Sequence, residues 1–188
     1  MIELMITITI IGVLAALAIY GVGRYLASSK SAEAKTGVGA ISRGAQAAFE
    51  REMAAAQGVT EGSTSSASSH RLCGTAVLVP LVVPKAKKYQ PSTKDGEDYS
   101  TGDSQSGWKC LKFYQSEPTY YQYGYAMDGS PMAPDNPAKC ATACYEAGAR
   151  GDLNANGIES QFARTGHINA ATGRLKASTQ IYVEREFE

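Results

Sequence analysis

Apolar residues are distributed very unevenly along the chain. Leu4 to Gly23 reads LMITITIIGVLAALAIYGVG without one charged side chain, and Arg24 is the first basic group. Coiled as a helix, a run of that length matches a bilayer hydrocarbon core of about 30 Å. Beyond Arg24 the apolar positions thin to a stripe. Val38, Ile41, Ala45, Ala48 with Phe49, Met53 and Ala56 recur at three- and four-residue spacing, while Lys30, Glu33, Lys35, Arg43, Glu50, Arg51 and Glu52 fall largely off it. That spacing predicts an amphipathic helix. No proline intervenes before Pro80, so one helix is expected from about residue 2 to about residue 56, roughly 80 Å long.

Its two halves have different needs. Residues 1–25 are apolar on every side and must be taken up by lipid or by other copies of the chain; residues 26–56 can bury one face against a head formed by residues 57–188. Gly12, Gly21, Gly23, Gly37, Gly39 and Gly44 each cost about 1 kcal/mol relative to alanine in a helix interior. Gly21 and Gly23 mark where the helix is expected to loosen or stretch, whereas Gly12 and the Gly37/Gly39 pair suit close packing. A cleaved secretory signal is the rival reading of the apolar run, and Ala15, Ala16 and Ala18 suit its cleavage region. It calls for a basic start and a shorter core, and the only charge before the run is acidic, Glu3. Glu3 is inexpensive at a membrane interface. Packed among copies it is desolvated and needs a cation, for which the α-ammonium of a neighbouring chain is the candidate.

Short strands are expected in the head. Ala76–Val83 is bounded by Pro80 and Pro84, Trp108–Phe113 alternates, and Tyr120–Ala126 is a plausible partner. Gln161–Ile168 and Leu175–Val183 form a hairpin through Ala171-Thr172-Gly173, and Ile181, Val183 and Phe187 share the buried face of a last strand. The fold class is therefore α+β, a long N-terminal α-helix packed on a small antiparallel β-sheet head. Gln57–Ser69, rich in Gly, Ser and Thr, reads as an exposed loop. Tyr121, Tyr123 and Tyr125 fall on one strand face, where cross-strand packing with hydroxyls at the solvent is expected.

Lys plus Arg and Asp plus Glu number 18 each, so no overall field favours nucleic acid. Lys85, Lys87 and Lys88 beside Tyr89 read as a solvated loop, with weak local DNA capture as the alternative. Four cysteines, Cys73, Cys110, Cys140 and Cys144, all lie in the head. An even count suggests two disulfides with three connectivities open. The preferred one closes a small loop between Cys140 and Cys144 and joins Cys73 to Cys110; spacing and the placement of His70 and His167 argue against zinc.

Asp152-Leu153-Asn154-Ala155-Asn156-Gly157 matches the front half of a calcium loop. The twelfth position is Ala163, so Glu159 or backbone carbonyls would have to complete the shell; the alternative is a plain Asx turn. No other cofactor is suggested and none is required. No nucleophile elbow, phosphate loop or HExxH occurs, and with two histidines the chain is expected not to be an enzyme.

The segment MIELMITITIIGVLAALAIYG, with its Ile2-Glu3-Leu4-Met5 core, Ile/Val run and Gly12, resembles the N-terminus of type IV pilins and their pseudopilin relatives; Ser31-Ala32-Glu33-Ala34-Lys35 is similar too. The resemblance covers about the first 25 residues. It implies a subunit, most of all a major pilin, that waits in the inner membrane and polymerises with copies of itself into a pilus on the cell surface. Glu3, Leu4, Ile6, Ile10, Gly12, Leu14 and Leu17 would then serve assembly. Processing by a prepilin peptidase, methylation of the new N-terminus, and dealings with a pilus assembly machinery are implied too, with motility, adhesion or DNA uptake as roles. The chain departs from the family in three ways. Glu3 lies nearer the start than the family's acidic residue, which implies a missing piece of the mature start and leader, or an unusual start. Tyr20-Gly21-Val22-Gly23 stands where a proline is common, and there is no cysteine near the C-terminus. A type II secretion pseudopilin and a membrane-anchored monomeric binding module are the alternatives.

Overall fold

The computed structural model describes residues 2–51, 53–54, 68–128 and 143–188. Helix α1 runs unbroken over Ile2–Glu50. Its buried positions are Ser31, Ala34, Val38, Gly39, Ile41, Ser42, Ala45, Ala48 and Phe49, the stripe that the spacing predicts. The helix stops short of the expected residue 56. Its last carbonyls find partners in the next segments: His70 Nδ1 lies 2.8 Å from Phe49 O, and Arg51 N donates to Ala47 O. With the C-terminal carbonyls so engaged, Met53–Ala54 (β1) pairs antiparallel with Ser68–Ser69 (β2) instead of extending the helix. Most of the expected Gln57–Ser69 loop lies outside the described residues.

Ala76–Val79 (β3), Gln122–Met127 (β4), Cys144–Gly151 (β5), Ser160–Ile168 (β6), Leu175–Ala177 (β7) and Tyr182–Glu184 (β8) form one antiparallel sheet. The order is β3-β4-β5-β6-β7, with β8 also on β6. β3 ends at Val79, just before Pro80, which cannot donate to a ladder and suits this edge position. Between β3 and β4 stands a short helix, α2 (Gly107–Leu111). This corrects the strand expected over Trp108–Phe113. In so short a stretch Trp108 and Cys110 fit alternation while Trp108 and Leu111 fit helical spacing; all three are buried, and Lys109 and Lys112 are exposed.

The β6–β7 hairpin forms as expected, but the long partner strand Leu175–Val183 is two strands. Ala177 pairs with Gly166 and Tyr182 with Ala163, so five steps on one strand face three on the other. The surplus loops out, as at a bulge. β8 stops at Arg185, whose φ of 49° turns the chain, so Phe187 lies beyond the strand on which it was expected.

One face of the sheet packs on α1. Tyr121 just before β4, Tyr123 and Tyr125 on β4 and Tyr145 on β5 are fully buried there, with Ala149 opposite Tyr123 and Ala147 opposite Tyr125. Tyr125 stacks on Tyr145 with centroids 5.7 Å apart, and Tyr121 meets Phe162 edge-on at 5.6 Å. The tyrosine hydroxyls do not reach solvent as expected, because α1 covers the face they occupy; Tyr123 Oη donates to Glu33 O at 3.3 Å. Burial raises the pKa of Tyr121, Tyr123 and Tyr125 well above the ordinary phenol value, so these groups stay protonated.

Candidate functional site

A site built on α1 begins where its packing ends. From Ile2 to Leu26 every residue is exposed, whereas the second half of the same helix lies on the sheet. Glu3, Leu4, Ile6, Ile10, Leu14 and Leu17 are all exposed; Glu3, Ile6, Ile10, Leu14 and Leu17, at three- and four-residue spacing, share one face, and the remaining faces of the run are exposed as well. Gly12, Gly21 and Gly23 have open space where a Cβ would stand, and α1 passes through Gly21 and Gly23 without a break. The two threonine hydroxyls in the run are satisfied locally: Thr7 Oγ1 donates to Leu4 O at 2.9 Å and Thr9 Oγ1 to Ile6 O at 2.8 Å. Such back-bonding lets threonine sit in an apolar medium. Tyr20, Arg24 and Tyr25 follow at the end of the run, the residue types that favour a membrane–water boundary.

The glycines of the second half have neighbours. A Cβ on Gly37 would stand 2.7 Å from Tyr123 Cζ, and one on Gly44 2.6 Å from Leu111 O, while on Gly39 it would meet only Arg43 at 3.5 Å. Gly37 and Gly44 thus let the sheet and α2 approach the helix axis.

At the exit of α1 from the head, the residues after β8 form a clasp. Ser31 Oγ donates to Glu186 Oε1 at 2.9 Å and Lys35 forms an ion pair with the same oxygen. The Arg24 guanidinium stands 5.2 Å from the Phe187 ring centroid, close enough for cation–π attraction. The Lys35 and Ser31 hydrogen bonds hold the Glu186 carboxyl below its ordinary pKa.

The clasp continues into the Asp152 loop. Asp152, buried, accepts from Asn156 N at 3.2 Å and Gly157 N at 3.0 Å; Asn154 Oδ1 accepts from Asn156 N and Asn156 Oδ1 from Ile158 N. The two amide groups donate to Glu188 Oε2 at 2.6 and 2.8 Å. Glu159 is not in this group; its carboxylate lies 3.8 Å from Arg150. Three of the four calcium candidates are therefore together in a hydrogen-bonded Asx turn closed by Glu188, whose part no sequence motif signals. Among the described residues no three His, Cys, Asp or Glu side chains are grouped as a metal-ion site.

Cys73 and Cys110 form a disulfide joining the approach to β3 to α2. Cys144 is also disulfide-bonded; its expected partner, Cys140, lies outside the described residues. The chain matches no known protein family, no curated protein and no solved structure. Its fold and exposed half-helix define the class: an α+β protein with an N-terminal helix long and apolar enough to cross a membrane. The same length and composition are met by signal sequences. A long apolar helix on an antiparallel sheet stapled by a disulfide is compatible with a pilin fold.

Proposed function

We propose that this chain is a structural filament subunit of the type IV pilin kind, which polymerises through its N-terminal helix and waits in the inner membrane beforehand. The observation that carries the reading is the contrast within α1: one continuous helix, packed from Ser31 onward and exposed on every side before Leu26. An apolar surface of that extent is not left in water. Lipid accepts it in the waiting subunit, and the helices of neighbouring copies accept it in a fibre.

Glu3 sets register. In an apolar helix bundle an unpaired carboxylate is strongly disfavoured, so axial positions that bring Glu3 to a neighbour's α-ammonium are selected. The test compares material sheared from parent cells, from a strain lacking this gene and from Glu3→Ala, by electron microscopy and proteomics. Fibres with this chain as their main band, lost on deletion and lost or impaired in Glu3→Ala, support the reading. Fibres that persist unchanged on deletion exclude a major pilin and leave a minor pilin, a pseudopilin or an anchored monomer. Normal assembly and subunit cross-linking in Glu3→Ala remove the role given to Glu3, and a chain that never cross-links is an anchored monomer.

A further inference from the structure

Leu81 and Val82 are 80% and 75% exposed, in a segment that is otherwise braced. Val79 pairs with Tyr123 and Gln122 Nε2 donates to Pro80 O at 2.8 Å. Ala86 N donates to Asp152 O at 2.8 Å, and Tyr89 and Thr119 exchange backbone hydrogen bonds at 2.8 and 2.9 Å. Pro80 and Pro84 stiffen the stretch further. Single apolar residues on a surface are ordinary, but these two are followed by Lys85, Lys87 and Lys88, all exposed. Among the described residues none of these three ammonium groups has a carboxylate partner. Lys88 Nζ stands 5.1 Å from the Tyr120 ring centroid, and Lys30 Nζ of α1 approaches the same ring to 4.5 Å. The nearby carboxylate on α1, Glu33, is occupied by Thr119 Oγ1 at 2.6 Å and Tyr120 N at 3.1 Å.

The position of this loop follows from the way β4 lies along α1. Its start is level with Glu33, while Tyr145, opposite its far end, reaches Ser42 at 2.7 Å. The loop joined to the start of β4 therefore lies at the end of the head that faces the apolar half-helix. Lys30 is about 9 Å along the axis from Arg24, where the charge-free run ends. A bilayer surrounding that run places its headgroups in the same zone.

We infer that residues 80–88 form a second membrane contact, in which Leu81 and Val82 enter the headgroup–acyl boundary of an anionic bilayer while Lys30, Lys85, Lys87 and Lys88 engage its phosphates. An apolar tip beside unpaired lysines is the combination that binds such interfaces. Nucleic acid would use the lysines but offers nothing to Leu81 and Val82. The inference rests on α1 residing in lipid; given that, the loop presses the head onto the membrane and fixes its rotation about α1.

The test uses the full chain carrying Val82→Trp, reconstituted in vesicles whose lipids have brominated acyl chains. The vesicles are phosphatidylcholine alone or mixed with phosphatidylglycerol. The one native tryptophan, Trp108, is fully buried and gives a constant background. Quenching at position 82 is expected to be several-fold stronger in the anionic vesicles. It should fall back when Lys85, Lys87 and Lys88 are all replaced by Gln, with flotation unchanged because α1 still holds the chain. A chain that floats while Val82→Trp stays unquenched in both vesicle types overturns the loop contact alone. A chain that does not float overturns the membrane residence of α1, and this inference with it. If the triple replacement instead abolishes binding to a DNA duplex and leaves quenching intact, the loop is a nucleic-acid contact and the inference fails.

Discussion

Gly37 and Tyr123 face each other so closely that a Cβ on Gly37 would stand 2.7 Å from the ring's Cζ. Any side chain there pushes the helix off β4 or forces the tyrosine from its place. Gly37→Val is expected to destabilise the head by about 1–3 kcal/mol, the usual cost of overpacking a filled core. Gly12→Ala, where a Cβ meets nothing within 4 Å, should leave the thermal midpoint of the head unchanged. Thermal unfolding of the two variants in one detergent measures the difference.

Cys73 and Cys110 are 37 positions apart in sequence, and the bridge restricts the unfolded chain over that span. Replacing both by serine is expected to cost about 2–4 kcal/mol. A denaturant titration of the double variant should show a lower midpoint, with α1 still reporting as helix by circular dichroism.

Ser42 and Tyr145 share a buried hydrogen bond of 2.7 Å. Ser42→Ala leaves the phenol hydroxyl without that partner, at an expected cost of about 1–3 kcal/mol. Adding Tyr145→Phe to Ser42→Ala should recover part of the loss, since neither group is then orphaned. A double-mutant cycle of unfolding free energies reads the coupling.

The carboxyl of Glu186 is held below its ordinary value of 4.5 by hydrogen bonds from Lys35 and Ser31. A group with a depressed folded-state pKa contributes stability that is complete above its unfolded pKa and lost as pH falls through the folded one. The clasp is therefore expected to be intact at neutral pH and to weaken as pH drops below about 4.5. In Lys35→Met that acid-dependent step should shrink. A fluorescent label near Phe187, titrated from pH 7 to pH 3, follows it.

Much of the architecture was legible because burial imposes a period. The stripe from Ala34 to Phe49 announces its helix, and Tyr121, Tyr123 and Tyr125 announce a strand. The central strand β5 was not foreseen. Its sequence, CYEAGARG, has few residues of strand character, because the space under α1 goes to the tyrosines and leaves room only for Ala147, Ala149 and Gly151 beside them. Local propensity is low where tertiary packing demands small side chains. Trp108–Phe113 was misread because so short a window does not separate two periods. The tail contacts of Glu186 and Glu188 are long-range pairings that no local pattern encodes. Of the candidate site, the apolar half-helix was plain from composition, whereas the clasp at its exit emerged only from the fold.

The continuity of α1 also makes it a mechanical member. From Ser31 onward a pull along the helix passes down one rod that lies against the head. Since β4 and β5 lie alongside that rod, the contacts of Glu33 with Thr119, Gly37 with Tyr123 and Ser42 with Tyr145 are loaded side by side, in shear, rather than peeled open in turn. Arg24 and Phe187 stand at the mouth of this seam. Tension on the chain therefore tests the head as a unit, the Glu186 clasp included.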